Sequence, residues 1–306
     1  KRILQSERSK DVVAKTDIVT DEILDLLQNP ADDGKWFRKG LVVGDVQSGK
    51  TANIIGLVNK AFDAEYRLVI VLSGLLNSLR VQTQERFDHD VIGIDSANIG
   101  ATDLKERLIG VGLRDQSKFP ISITTSIDDF NINHAKNKQQ QLEQYSKPVV
   151  FIIKKNVSIL KNLIRWLKDN NFNLEKYPLL LIDDESDHAS VNTNKEDLDP
   201  TQTNLRIREL LSLFSKKVYL GYTATPFANI FIDPDTPEEM EDDLFPEHFI
   251  KVLDPPNNYQ GSQELYVENQ SAYIRIIDDH NDILPIKHKI HEIPEILPDS
   301  LEKAVM

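Results

Sequence analysis

Eight residues, Gly44-Asp45-Val46-Gln47-Ser48-Gly49-Lys50-Thr51, limit what this 306-residue chain can fold into more than anything else in it. They follow the apolar run Gly40-Leu41-Val42-Val43 and precede a helical pattern carrying Ile54, Ile55, Leu57 and Val58. A buried strand, a glycine-bounded loop and a helix N-terminus, in that order, make a nest of inward-pointing N–H groups backed by the positive end of a helix. That is a phosphate site. Gly44, Gln47, Ser48, Gly49, Lys50, Thr51 and Ala52 are its expected residues. Lys50 is suited to the β- and γ-phosphates of ATP, and the Thr51 hydroxyl to Mg²⁺.

Apolar strand patterns recur along the chain at 67–72, 119–124, 148–153, 177–182 and 217–221. Helical patterns fall between them at 75–87, 157–170 and 203–214. Strands alternating with helices, with the phosphate loop after the first strand, predict an α/β fold of the P-loop NTPase type, a parallel sheet with helices on both faces. Residues 17–27 read as an amphipathic helix with Ile18, Ile23, Leu24 and Leu27 on one face. The polar run at 137–144 reads as an exposed helix or loop.

After Pro226 the alternation decays and prolines accumulate, although 273–277 still reads as a strand and 298–304 as the start of a capped helix. The expected organisation is an N-terminal helical segment (1–39), a P-loop ATPase lobe (40–232) and a proline-rich, acidic C-terminal appendage (233–306). The chain opens on Lys1 without a methionine, as a piece of something longer would.

Composition narrows the chemistry. There is no cysteine, which excludes disulfides, thiolate metal sites and a cysteine nucleophile. No apolar stretch approaches the length of a membrane span and no leader is visible, so a cytoplasmic protein without a membrane partner is expected. The net charge of −13 gives no whole-molecule attraction to nucleic acid, but it leaves room for a local groove. Asp233 to Glu247 holds eight acids and no base, the pattern of a solvated loop.

A second constellation follows the strand at 177–182. Asp183-Asp184-Glu185-Ser186-Asp187-His188 clusters carboxylates that repel one another unless a cation or a lysine compensates. Asp184 is the expected Mg²⁺ ligand and Glu185 the base that orients water. Asp183 is the alternative one position earlier. His188 is either a γ-phosphate sensor or an ordinary loop histidine. A third strand end, Tyr222-Thr223-Ala224-Thr225-Pro226, presents two hydroxyls, Thr223 and Thr225, as coupling or sensor groups. Trp36 and Phe37, just before the P-loop strand, either stack on adenine or fill the core.

Taken in order, GDVQSGKT, DDESD and TATP resemble motifs I, II and III of superfamily 2 helicases and translocases. Leu79-Arg80-Val81-Gln82 resembles motif Ia, and Ile123-Thr124-Thr125 stands where motif Ib does. The resemblance therefore implies nucleic-acid contacts for Leu79, Gln82, Thr124 and Thr125. More narrowly, the wording VVGDVQSGKTANIIGL, LLIDDESDHASVNT, YTATPFANIFIDP and DLFPEHFI is similar to the helicase-like ATPase part of bacterial Z1-domain proteins, a family associated with restriction-modification and phage defence. The likeness covers residues 40–259.

It departs from the family in three ways. Motifs IV to VI, including an arginine finger, have no candidates here. A Q-motif is missing. Ser186 stands where alanine is common. The resemblance thus implies a RecA-like, ATP-hydrolysing first lobe that acts on DNA together with a second lobe, and with nuclease or other defence subunits as possible partners. The alternative is an ATP-gated clamp on nucleic acid or protein that does not unwind. A small-molecule kinase has no use for the TATP strand, and no D…E-x-K nuclease set is present.

Overall fold

The computed structural model describes residues 10–45, 49–98, 104–114, 120–133, 135, 147–169, 174, 177–188, 202–230, 244–255, 261, 264–268, 276–279 and 296–305. The chain divides into two compact units, Lys1–Pro256 and Asn257–Met306.

The first unit is built on seven parallel strands. They are β1 (Trp36–Val43), β2 (Leu68–Ser73), β3 (Ile121–Ser122), β4 (Val149–Ile153), β5 (Leu179–Asp184), β6 (Lys216–Thr223) and β7 (Phe249–Val252). Their spatial order is β3-β4-β2-β5-β6-β1-β7. Around them lie α1 (Lys10–Leu26), α2 (Lys50–Asp63), α3 (Asn77–Phe87), α4 (Val157–Asp169), α5 (Gln202–Ser212) and the single turn α6 (Phe227–Ile230).

The central strands are apolar on both faces, as a sheet covered by helices on each side requires. Period-two alternation sorts their residues between two cores. Ile70, Leu72, Phe151, Ile153, Leu179 and Leu181 pack with Leu160, Leu163 and Trp166 of α4 and Leu210 of α5. Val69, Val71, Val150, Ile152, Leu180 and Ile182 pack with Ile23 of α1, Ile54, Leu57 and Val58 of α2 and Phe87 of α3. Trp166 is wedged edge-on against Phe130 and Phe151, with ring centroids 5.8 and 6.0 Å away. This is the expected α/β sheet with helices on both faces.

Several elements differ from their sequence patterns. β1 starts at Trp36 and pairs with β6 along its whole length, Trp36 opposite Lys216 and Val43 opposite Thr223. Its first half is charged, yet buried Lys39 is neutralised by Glu247 at 3.2 Å and lies over the Phe37 ring. β7 falls in the stretch expected to be appendage, but it pairs with β1, Gly40 opposite Phe249. A Cβ at Gly40 would sit 2.2 Å from the Phe249 ring, so glycine there is what lets β7 dock. The sheet therefore continues past the expected lobe end at 232.

α1 buries Val13, Thr20 and Ile23, and Ile23, Leu24 and Leu27 of the expected face pack into the core while Ile18 is exposed. Thr20 Cγ2 lies 3.2 Å from where a β-carbon on Gly56 of α2 would be, and the missing side chain allows the two helices to approach closely. β3 is only two residues long where a six-residue strand was expected.

In the second unit, a single π-turn spans Glu264–Glu268, and α7 (Asp299–Val305) forms near the expected position. The Ser300 N–H and hydroxyl both donate to the Asp279 carboxylate. The polar run 137–144, most of the acidic run and most of the strand expected at 273–277 lie outside the described residues.

Candidate nucleotide site

Because every strand is parallel, the carboxyl ends of β1, β2, β4, β5 and β6 share one edge of the sheet, where open α/β sheets bind ligands. β6 lies between β1 and β5. Its last residues therefore fall between the phosphate loop on one side and the carboxylate turn on the other.

The loop leaves β1 at Gly44, whose N–H donates to Thr223 O at 3.0 Å. Gln47 and Ser48 lie outside the described residues. The loop rejoins the fold at Gly49, with φ +97°, a left-handed conformation that suits glycine. From there α2 starts at Lys50, with Thr51 half-buried and Ala52 buried. The Lys50 ammonium donates to Gly44 O at 3.0 Å and Asp45 O at 2.9 Å. Burial lowers its pKa, against the pull of Asp184, Glu185 and Asp187.

The acidic cluster divides into distinct environments. Asp183 is fully buried: Lys155 Nζ is 2.9 Å from its carboxylate and the Tyr219 hydroxyl donates to it at 2.7 Å. Asp184 is partly exposed. Burial of its carboxyl, reinforced by Glu185, pushes it up to about 6, although Lys155 and Lys50 oppose this. Glu185 begins the turn with φ 54°, left-handed for a residue with a side chain. Its Oε2 lies 3.2 Å from where a β-carbon on Gly74 would be. Ser186 is buried, with its N–H on Tyr222 O at 2.9 Å.

Asp187 faces the end of β6. It accepts a hydrogen bond from Thr223 Oγ1 at 2.7 Å and another from Thr225 Oγ1. Burial would raise its carboxyl, but these hydroxyls outweigh it and hold the group below the usual carboxylate range. His188 is exposed, its ring 3.5 Å from Glu185 and 3.6 Å from Asp187.

Other expected residues fall elsewhere. Trp36 and Phe37 occupy the opposite end of β1 from the loop. Trp36 meets Tyr66 edge-on at 6.5 Å, and Phe37 lies beneath the Lys39 and Lys217 ammoniums. Of the two readings of this pair, packing is the one these contacts favour.

Leu79, half-buried, and Gln82, exposed, are on α3. Buried Arg80 of the same helix donates to Thr125 O at 2.8 Å and Ser126 O at 3.2 Å, joining the stretches that resemble motifs Ia and Ib. The Thr124 hydroxyl donates to Gln84 and accepts from the Ile152 N–H, so Thr124 is tied into the protein interior. Thr125 is also buried, its hydroxyl accepting the Asp128 N–H at 2.9 Å. The main chain here is used internally as well, since the Thr125 N–H donates to Asp128 O and the Ser126 N–H to Ser96 Oγ, and what the loop exposes is the Ile127 side chain. Lys155, Arg80 and Gln84 had not been singled out as site residues. The need for a lysine to compensate DDESD was the available signal for Lys155.

The sheet order, the strand–loop–helix around Gly44 to Lys50 and the strand-end carboxylates define a RecA-like α/β P-loop fold. No family model matches the chain, and no curated protein does either. Among solved structures, the crystal structure of the Pyrococcus furiosus Hef helicase domain is similar at 15% identity and a TM-score of 0.42, over 81% of this chain and 40% of that one. The ATPase domain of G40P is similar at 12% identity and a TM-score of 0.32, over 82% and 84%. The chain thus spans 40% of the length of the Hef helicase domain. Among the described residues no helix is long and apolar enough to cross a membrane.

Proposed function

We propose that this chain is the ATP-binding and ATP-hydrolysing first lobe of a superfamily 2 helicase- or translocase-like protein of the Z1 kind, acting on DNA in bacterial restriction or phage defence. The observation that carries this is the double hydrogen bond from Thr223 and Thr225 to Asp187. It joins the third sequence constellation to the second, two residues from Glu185 and within the electrostatic reach of Lys50. A kinase that only binds and transfers phosphate has no need of such a link. A machine that converts hydrolysis into movement does.

In this reading Lys50 neutralises charge on the β- and γ-phosphates and backbone N–H groups of the loop hold the remaining oxygens. Mg²⁺ fits the residues present. Thr51 and Asp184 are hard oxygen donors, and Asp184 is a carboxylate whose ionised form is disfavoured by burial and by Glu185, so a cation beside it relieves that cost. Bound Mg²⁺ would polarise the phosphates and screen their charge. Glu185 orients the attacking water and accepts its proton. Asp187 passes the state of this turn to β6. The surface of α3 around Leu79 and Gln82, beside the loop that carries Thr124 and Thr125, is the proposed path of the nucleic-acid strand.

Lys50→Ala is expected to abolish Mg-ATP binding in calorimetric titration. Glu185→Gln is expected to keep binding and lose phosphate release, because an amide can still hydrogen-bond but cannot take a proton. Wild-type affinity in Lys50→Ala would overturn the P-loop assignment. Normal turnover in Glu185→Gln would move the base to another carboxylate.

A further inference from the structure

Lys155 lies outside every sequence constellation, two residues beyond the end of β4, and its side chain is fully buried at the foot of the carboxylate turn. An ammonium has three N–H donors. Three acceptors surround this one. They are the Asp183 carboxylate at 2.9 Å, the Glu185 backbone carbonyl, and the His188 backbone carbonyl at 3.1 Å. A lysine present only to neutralise a buried aspartate would need just the first. The other two grip both ends of the turn that presents Glu185, Ser186 and Asp187.

That turn needs gripping. Glu185 is held at φ 54°, which a residue with a β-carbon adopts only where its surroundings impose it. The same lysine also sets the opposite wall. Its main-chain N–H donates to Gly74 O at 3.0 Å, and Gly74 (φ +45°) has no β-carbon where Glu185 Oε2 approaches.

We propose that Lys155 is a positioning residue for hydrolysis. It fixes the strained turn that aims the Glu185 carboxylate and anchors the Gly74 backbone against which that carboxylate rests. This rests on the ATPase reading above. Orienting a water for in-line attack tolerates little displacement, and a misplacement of about 1 Å costs on the order of 100-fold in rate.

The test uses Lys155→Met/Asp183→Asn, because Lys155→Met alone leaves a buried carboxylate without its counter-charge. Removing both charges of a buried pair is far better tolerated. The Asn amide oxygen can still accept from Tyr219. In the full chain, the double variant is expected to bind Mg-ATP with wild-type affinity while single-turnover hydrolysis falls on the order of 100-fold. Added on top of Glu185→Gln, it is expected to cause no further loss, since two changes acting through one group are not additive.

Hydrolysis close to wild type in the double variant would overturn the clamp and leave the ATPase reading standing. So would a full additional loss in the Glu185→Gln background, or a loss of affinity equal to the loss of rate. A wild-type chain that neither binds nor hydrolyses Mg-ATP would overturn the ATPase reading itself, and the clamp with it.

Discussion

Asp184→Asn should make the nucleotide-free protein more stable while abolishing the ATP hydrolysis proposed above. Burial and the neighbouring Glu185 raise the Asp184 carboxyl from an ordinary 3.8 to about 6. A difference of about 2 in pKa corresponds to about 3 kcal/mol at neutral pH, at about 1.36 kcal/mol each. The carboxylate is partly exposed, and solvent screening reduces this to about 1–2 kcal/mol. Asparagine removes the charge and with it that cost.

The sign with pH follows from the same values. Between 3.8 and about 6 the native carboxyl keeps its proton where the unfolded one gives it up. Wild-type stability from this group therefore rises as pH falls from 7 toward 4 and is lost again as pH rises through 6. Urea unfolding in EDTA at pH 8 and pH 5 is the assay. At pH 8 the variant should exceed wild type by about 1–2 kcal/mol, and at pH 5 the gap should shrink. With saturating Mg-ATP the order should invert, because ligand stabilises only the form that binds it. Equal stabilities with parallel pH dependence, or a variant less stable at pH 8, would refute the claim that Asp184 is held ionised at a cost.

Thr223→Val should cost about 1.5–3 kcal/mol in denaturant unfolding, the range for a hydrogen bond to a charged group, and Thr225→Val less because that bond is exposed. Asp187 is held below the usual carboxylate range, so its contribution is present above that range and lost as pH falls below it. The double threonine variant should therefore begin acid unfolding at a higher pH than wild type. Gly40→Ala places a methyl 2.2 Å from the Phe249 ring and should cost about 1–3 kcal/mol by overpacking, with faster amide exchange confined to β7 and its neighbour β1. Gly221→Ala should weaken the β5–β6 region in the same assay, because its β-carbon would meet Ser186 Oγ at 2.8 Å and Leu41 Cδ1 at 3.0 Å.

Where burial is continuous, the strands were legible in the sequence. The runs that became β2, β4 and β5 are apolar on both faces because helices cover both, and no other secondary structure explains such short runs between helical patterns. Legibility failed where the side chains that make an element are polar but neutralised far away in sequence. Trp36 to Lys39 reads as a charged approach to the P-loop until Glu247 and the Phe37 ring satisfy Lys39. β7 is four residues long and depends on the space above Gly40, a property of another strand. Past Ile123 the β3 ladder gives way, because the Ile152 N–H bonds the Thr124 hydroxyl and the Thr125 carbonyl goes to Arg80. Within the site, residue type and order pointed to Lys50, Asp184, Glu185 and the two threonines. Lys155 was hidden, because what marks it is the convergence of three acceptors from a strand paired two places away.

The position of β1 between β6 and β7 bears on the protein's birth as well as its chemistry. β1 is made early, but both strands that flank it come from the far end of the unit, and the Lys39 N–H finds its His248 partner 209 residues later. At a synthesis rate of about 5–20 residues per second, that interval lasts about 10–40 s. Until β6 is made, the strand bearing the phosphate loop has open backbone on both sides, and from then until β7 follows it is open on one. The candidate nucleotide site is thus the last part of the sheet to close, and a nascent chain stalled before β7 holds the phosphate loop, the carboxylate turn and the threonine strand end on a sheet still open at β1.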